Sequence, residues 1–488
     1  MSVGAVSRIS RIVKNANKSQ PSKSLEHIHQ EKWNCASVCI RGSAGYGRRV
    51  TEGGSSNKRP SQGSQTQRQR KRSGTKTKAR PNLDLVLFGA TGFTGGLVAD
   101  YLSRQAPPRT RIGIAGRNAE KLANVRDRLS GAANDWTLIT ADSDDPEALQ
   151  QMAVNTKALI STVGPYTKYG LPVVAACAAA GTNYGDLTGE VVFMRRSIDQ
   201  YDDLAKRSGA RIVHSCGFDS IPSDLGVLAL HLQAKAQDGH GHLAETHFLV
   251  RKIRGGISGG TIASGLNELD IASQDKALSK VLADPYSLSP DRSAEPSPGD
   301  PRDKPRAYYD EELDTWVGPF FMAPINTRVV RRSNAISGYS YGHGFRYDEG
   351  TAFGSGLAGR ARATGMLGGF AVMGGVMQNA SGRRFVSRFL PSPGAGPSER
   401  TRQNGMFLIT LHTRTPEGER YRATVAADGD PGYAATSVML GQAGLTLAGD
   451  QRRLPRAAGV LTPATGMGLR LIENLKAAGM SIDARKDT

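Results

Sequence analysis

Leu83-Asp84-Leu85-Val86-Leu87-Phe88-Gly89-Ala90-Thr91-Gly92-Phe93-Thr94-Gly95 is the stretch on which the fold of this 488-residue chain turns. Its first six residues read as a buried β-strand. Leu97, Val98, Tyr101 and Leu102 then recur with helical spacing. Strand, glycine turn and helix form the opening unit of a doubly wound dinucleotide fold. The turn has to be tight and its backbone has to approach a diphosphate, so side chains are excluded. The helix N-terminus adds N–H groups and the positive end of its dipole. The GxxGxxG spacing is one residue longer than the commoner GxGxxG. Ordinary βα turns share such glycines; the strand before and the helix after favour the nucleotide reading.

Outward from this turn, strand and helix patterns alternate. Strands are expected at 111–115, 136–141, 158–163, 183–186 and 211–214, with helices at 119–129, 146–153, 171–180 and 198–208 between them. Asn118 is placed to cap one helix, and Asp144 or Asp145 another. This alternation implies a parallel, Rossmann-type α/β sheet. The second strand ends in Ala115-Gly116-Arg117-Asn118, where an NAD site would carry a carboxylate for the ribose hydroxyls. Arg117 stands there instead, with Lys121 one helical turn on. A guanidinium suits a 2′-phosphate, so the expected cofactor is NADPH; the alternative is a surface arginine at a strand end.

The fourth strand runs into Ser161-Thr162-Val163-Gly164-Pro165-Tyr166, and ligands of such sheets sit at the carboxyl ends of the strands. Tyr166 and Lys168 are the candidate catalytic pair, because an ammonium near a phenol eases proton transfer. The YxxxK pattern of short-chain dehydrogenases is absent, and Tyr166 reads equally as a packing residue. His214 to Asp224 closes the sixth strand. Asp219 is placed to touch substrate or order the turn, Ser223 and Asp224 to cap the next helix, and His214 with Cys216 shares a strand face.

From about Asp224 the character changes to a second, α+β region. A strand is expected at 245–252, a glycine-crowded loop at 255–260, an exposed loop at 284–306, a strand at Arg328-Val329-Val330, and a hairpin of 407–413 with 421–426 around Pro416-Glu417-Gly418. Residues 363–377 carry no charge and lie between Arg360, Arg362, Arg383 and Arg384. Too short to span a bilayer, they read as a buried helix, a lining for a lipid-like substrate, or a peripheral membrane contact. The division expected is a disordered leader at 1–81, a cofactor domain at 82–225, a substrate domain at 226–458, and a C-terminal segment at 459–488 whose helix returns to the first domain.

The net charge of +19 is uneven: residues 1–80 carry +15 and the remainder +4. The basicity belongs to a Ser-, Gln- and Lys/Arg-rich leader that cannot bury enough apolar surface to order itself. It reads as a solvated tail, a transit peptide, or a start placed too far upstream; Arg68 to Arg72 could bind phosphates or serve as a nuclear signal. No specific nucleic-acid binding is expected of the near-neutral body. Cys35, Cys39, Cys177 and Cys216 make neither a disulfide framework nor a zinc site. A reduced, cytoplasmic protein without metal is expected.

Four segments together resemble a known family: GATGFTG with AGR at the second strand, STVGPYTKYG, GFDSIPSD, and GGISGGT at 255–261. Gly459 to Thr465 fits as well. Residues 82–483 resemble the saccharopine dehydrogenase-like oxidoreductases, and within them the trans-acting enoyl reductases of mycobacterial lipid synthesis. The resemblance implies NADPH-dependent reduction of a carbon–carbon double bond in an α,β-unsaturated thioester carried by a polyketide synthase. It assigns cofactor contacts to Gly89, Thr91, Gly92, Phe93, Thr94, Gly95 and Arg117. It sets Ser161, Thr162, Val163 and Gly164 near the nicotinamide. Amides at 255–260, or Tyr166, would stabilise the thioester enolate. Two competing readings remain. One is a dehydrogenase of an amino-acid or imine substrate, needing carboxylate-binding arginines such as Arg331-Arg332 or Arg251. The other is a non-catalytic NADPH-binding protein at a membrane.

Overall fold

The structure, a computed structural model, describes residues 82–487 apart from 257–258, 297–300, 379 and 388–395. The leader, with Cys35, Cys39 and Arg68 to Arg72, lies outside the described residues. Elements of the first half are β1 (Leu83–Phe88), α1 (Phe93–Gln105), β2 (Ile112–Gly116), α2 (Ala119–Asp127), β3 (Thr137–Thr140), α3 (Pro146–Val154), β4 (Thr156–Ser161), α4 (Tyr166–Ala180), β5 (Asn183–Asp186), α5 (Val191–Ser208), β6 (Arg211–Val213) and α6 (Ile221–Asp238). There follow β7 (Glu245–Arg254), α7 (Gly259–Gln274), α8 (Lys276–Ala283), β8 (Tyr308–Asp310), β9 (Thr315–Pro319), α9 (Ala323–Ile336), β10 (Arg346–Ala352), α10 (Gly356–Gln378), α11 (Ala380–Ser387) and α12 (Glu399–Gln403). The chain closes with β11 (Met406–Arg414), β12 (Arg420–Asp428), α13 (Thr436–Ala448), β13 (Gly459–Leu461), α14 (Pro463–Gly466), α15 (Gly468–Ala477) and β14 (Ser481–Lys486).

Two seven-stranded sheets organise these elements. The first runs β13-β6-β5-β4-β1-β2-β3, all parallel. This is the Rossmann-type sheet that the alternating pattern implies. The second runs β14-β12-β11-β7-β10-β9-β8 and is antiparallel except where β10 meets β7. Period-two geometry sends Leu85 and Leu87 of β1 to one core and Val86 and Phe88 to the other. The first of these cores continues through α6, α13 and α15 to Phe407, Ile409 and Tyr421 of the second sheet. Glycines permit the close packing. A Cβ on Gly444 of α13 would meet Ile160 and Leu85 at 3.0 and 3.1 Å, and one on Gly226 of α6 would meet Leu411 at 2.8 Å.

Three expectations are corrected. Arg328-Val329-Val330 lies inside α9, a helix opened by Pro324. The 284–306 segment is not wholly exposed: Ser287, Leu288 and Ser289 are buried, held by hydrogen bonds from Arg195 and Arg332 to their carbonyls. Residues 363–377 are not core. They belong to α10, where of the described positions only Gly359 and Ala363 are buried, while Leu357 is 84% and Val372 70% exposed. No helix among the described residues is long and apolar enough to cross a membrane.

Candidate functional site

The glycine turn is built by close approach. Gly89 has φ +93°, a conformation that disfavours any side chain. Its amide donates to the Ala115 carbonyl at 2.9 Å, and its own carbonyl accepts from the Gly92 amide at 3.0 Å and the Thr162 hydroxyl at 3.1 Å. A Cβ on Gly95 would lie 2.1 Å from the Gly89 carbonyl oxygen, so α1 can sit this near the turn only with glycine there. Gly92 caps α1 without a side-chain hydrogen bond, and Thr91 and Gly92 are exposed. The first amides of α1, on Phe93, Thr94 and Gly95, have no carbonyl within the helix to receive them. An open helix N-terminus with no acidic residue in its first turn fits a diphosphate. Phe93 meets Tyr433 edge-on at 4.9 Å and lies 5.3 Å from the Arg402 guanidinium. The sequence reading missed Arg402, because nothing local ties a residue three hundred positions on to this turn.

At the tip of β2, Arg117 and Lys121 are both exposed, and Arg117 has no hydrogen bond or ion pair among the described residues. Asn118 caps α2, accepting the Lys121 amide at 2.8 Å. Thr91 of the glycine turn lies against Gly116, its hydroxyl 3.6 Å from where a Cβ would stand. The open helix end and the cationic tip are therefore neighbours, as a phosphorylated dinucleotide requires.

At the tip of β4 the side chains hold the loops. Thr162 and Val163 pack on Gly89. The Tyr166 hydroxyl donates to the Ser161 carbonyl at 3.0 Å and accepts the Leu187 amide at 3.2 Å. Burial, with the Asp186 charge second, pushes its pKa well above the ordinary value. Lys168 lies exposed, its ammonium 4.8 Å from the Tyr169 ring, and the hydrogen bond to Tyr169 raises its pKa. Tyr166 and Lys168 are not brought together. Glu190, a residue the sequence reading did not single out, caps α4 by accepting the Tyr166 and Thr167 amides at 2.8 and 2.7 Å, and receives the Ser264 hydroxyl at 2.6 Å. Its only signal was its place just before a helix, since its partners come from elsewhere. The expected amide donors at 255–260 fall partly on Ile257 and Ser258, outside the described residues; Gly259 and Gly260 open α7.

The β6 loop carries a buried chain of polar groups. His214 Nδ1 lies 2.7 Å from Asp186 Oδ2, and its Nε2 2.8 Å from the Ser197 hydroxyl. All three residues are buried, so this Ser-His-Asp array braces β5, β6 and α5 and admits no substrate. Cys216 is fully buried and its thiol pKa is pushed well up by burial. It is not paired with His214 as a nucleophile. Ser223 and Asp224 do not cap α6, whose N-cap is Ser220. Ser223 donates to Glu349 at 2.7 Å, and Asp224 receives the Ser333 hydroxyl and, at 2.7 Å, the Ala464 amide. Burial lifts Asp224 to about 6 and Glu349 to about 7. The arginines an amino-acid substrate would need are occupied. Arg331 pairs with Asp303 at 2.6 Å, Arg332 donates to the Leu288 and Val460 carbonyls, and Arg251 donates to Thr410 at 3.0 Å.

Comparison with known proteins follows the same lines. Residues 85–213 match the saccharopine dehydrogenase NADP binding domain, an NADP(H)-binding unit. A Mycobacterium tuberculosis (strain H37Rv) protein provisionally named a trans-acting enoyl reductase is 49% identical over 418 residues, 83% of this chain and 97% of that one. The trans-acting enoyl reductase of Mycobacterium ulcerans is 44% identical over 416 residues, 84% of this chain and 99% of its own length. Among solved structures, saccharopine dehydrogenase (L-Glu forming) of Saccharomyces cerevisiae aligns at 12% identity with a TM-score of 0.47, covering 83% of this chain and 99% of that one. On the strength of relatives matched almost from end to end, the chain belongs to the trans-acting enoyl reductase family of saccharopine dehydrogenase-like oxidoreductases.

Proposed function

We propose that this protein reduces the carbon–carbon double bond of an α,β-unsaturated acyl thioester, delivered on a carrier domain of a polyketide synthase, in lipid, fatty-acid or glycolipid biosynthesis. The observation that carries the reading is end-to-end relationship to trans-acting enoyl reductases, and the occupied arginines of the second half weigh against an amino-acid substrate. In this reading the amides of Thr91, Phe93, Thr94 and Gly95 hold the diphosphate, while Gly89 and Gly92, whose amides are spent on the Ala115 and Gly89 carbonyls, give it a close backbone approach. Arg117 and Lys121 hold the 2′-phosphate, and Ser161, Thr162, Val163 and Gly164 flank the nicotinamide end. When bound, NADPH supplies a hydride. Tyr166 acts as a positioning residue that ties the β4 loop to the β5 loop, and Lys168 stays in solvent. Incubation with NADPH and crotonyl or longer enoyl thioesters, free and carrier-bound, against imino-acid and blank controls tests this. Loss of nicotinamide absorbance with enoyl thioesters alone is expected; equal loss in every arm, or in none, overturns it.

A cytoplasmic enzyme that touches a membrane edgewise is the companion proposal. It is supported by the exposed apolar side chains of α10, Leu357, Val372 and Met373, with Arg360 and Arg362 exposed on the same helix and Arg384 exposed on α11. Co-sedimentation with anionic vesicles, lost in Leu357→Ser/Val372→Ser, is expected. Indifference to the vesicles rejects it.

A further inference from the structure

We propose that Asp219 delivers the proton that completes the reduction at the substrate's Cα. The inference rests on the enoyl-reductase reading and adds a residue to it. Across the first sheet the loops at the carboxyl ends succeed one another from Arg117 after β2, through the glycine turn after β1 and Ser161 to Gly164 after β4, to Leu187 to Glu190 after β5 and Ser215 to Ser220 after β6. Ligands of such sheets occupy the crevice outside these ends. A dinucleotide with its 2′-phosphate at Arg117 and its diphosphate at the glycine turn points its reactive end toward the β5 and β6 loops. Asp219 stands in the last of them.

Asp219 is only partly buried, and glycines flank both of its carboxyl oxygens. A Cβ on Gly189 would stand 3.7 Å from Oδ1 and one on Gly217 3.3 Å from Oδ2, and neither position carries a side chain. The neighbours around these glycines, Leu187, Ile325 and Thr436, are uncharged. The titratable groups facing Asp219 are Asp186, whose charge raises its pKa, and the neutral Tyr166 phenol. Burial is the larger cause, and together they push Asp219 up to about 7.

The buried carboxyls around it are engaged. Glu190 accepts three donors, Asp186 holds His214, Asp224 holds Ser333 and Ala464, Glu349 holds Ser223, Tyr347 and Asn326, and Glu268 holds the Val192 amide. Asp219 has no side-chain hydrogen bond and no ion pair among the described residues; only its own backbone amide reaches it. The step balances simply. The hydride's electron pair forms the C–H bond at Cβ, and the double-bond pair passes into the thioester as an enolate. The Asp219 O–H bond then breaks as a C–H bond forms at Cα. The carboxylate left behind takes its proton back from water.

Two measurements test this. The carboxyl of Asp219 is followed by infrared difference spectroscopy of the cofactor-free protein, wild type against Asp219→Asn; titration near pH 7 is expected, and titration below pH 5 overturns the proposal. Steady-state kinetics on Asp219→Asn should show kcat reduced about 10²- to 10⁴-fold with NADPH affinity, read by fluorescence, within about twofold. The wild-type rate should fall above pH 7, and this fall should vanish in Asp219→Asn and return, shifted, in Asp219→Glu. An Asp219→Asn protein that keeps the wild-type rate and falling limb overturns the proposal. A wild-type protein that reduces no enoyl thioester overturns the functional reading instead, and the titration still reports on the side chain.

Discussion

Gly95→Ala puts one methyl group where the structure has least room for it. The new Cβ would stand 2.1 Å from the Gly89 carbonyl oxygen and 2.9 Å from the Thr162 hydroxyl. Ordinary contact begins above 3 Å, so either the turn or α1 has to retreat by about 1 Å. Forcing an extra methyl into a packed contact costs about 1–3 kcal/mol. The Gly89 carbonyl also organises the Gly92 amide at 3.0 Å, so the shift reaches the amides that face the diphosphate. A displacement of about 1 Å in a positioned site costs on the order of 100-fold. We expect an unfolding free energy lower by about 1–3 kcal/mol in urea titration and an NADPH dissociation constant at least about tenfold weaker in fluorescence titration. Gly96→Ala is the control. Its nearest contact would be the Ala90 carbonyl at 3.8 Å, so it should bind NADPH as wild type does and gain up to about 1 kcal/mol from helix propensity. If Gly95→Ala binds as tightly as Gly96→Ala, the close approach of α1 to the turn is not what shapes the site.

Arg117→Ala removes a charged donor from the proposed 2′-phosphate site. A hydrogen bond to a charged group contributes about 1.5–3 kcal/mol, so calorimetry should find NADPH binding weakened roughly 10- to 150-fold with NADH binding unchanged; equal losses for both would reject the assignment. Lys168→Met should leave the pH–rate profile unaltered, because the ammonium lies over Tyr169 and not at the Tyr166 hydroxyl; a shifted profile would restore the pair as a proton donor. Glu268 accepts the Val192 amide at 2.6 Å, and burial lifts its pKa from 4.5 to about 8. Between those values the native state holds a proton that the unfolded chain releases. This carboxyl therefore lowers stability as pH rises, by up to about 1.4 kcal/mol per unit. Comparing urea unfolding at pH 5.5 and 7.5, Glu268→Gln should lose less stability than wild type; identical slopes would contradict the buried carboxyl.

The first sheet was legible because its signals are local. Six of its seven strands follow in order along the first half of the chain, and two of its helices begin at Asn118 and Asp145, which accept the amides expected of a cap; the seventh strand, β13, was read only as part of the C-terminal segment. Strand and helix ends moved by one or two residues, and the largest shifts came at helix starts set from afar: α4 begins five residues earlier than its apolar pattern, at Tyr166, because Glu190 caps it, and α5 seven residues earlier, at Val191, where Glu268 receives the Val192 amide. The second half was harder for a physical reason. In α9 the arginines point inward, Arg328, Arg331 and Arg332 being buried against carbonyls of neighbouring loops. Such a helix has no polar face to reveal its period, and three of its residues pass for a strand. In α10 repeated glycines and apolar residues on every side erase the period altogether. Around the site, Arg117 could be read from its strand end, whereas Glu190 and Arg402 act through partners distant in sequence.

β13 and β14 are each a border strand, one on the outer rim of the first sheet beside β6 and the other on the outer rim of the second beside β12. Fewer than thirty residues hold both. A ribosome emitting this chain has therefore made every other strand of both sheets before either can acquire this border. Until then β6 and β12 present raw, unpaired backbone. The chain is therefore at its stickiest just before residues 459–486 emerge, and chaperone demand should concentrate in that interval.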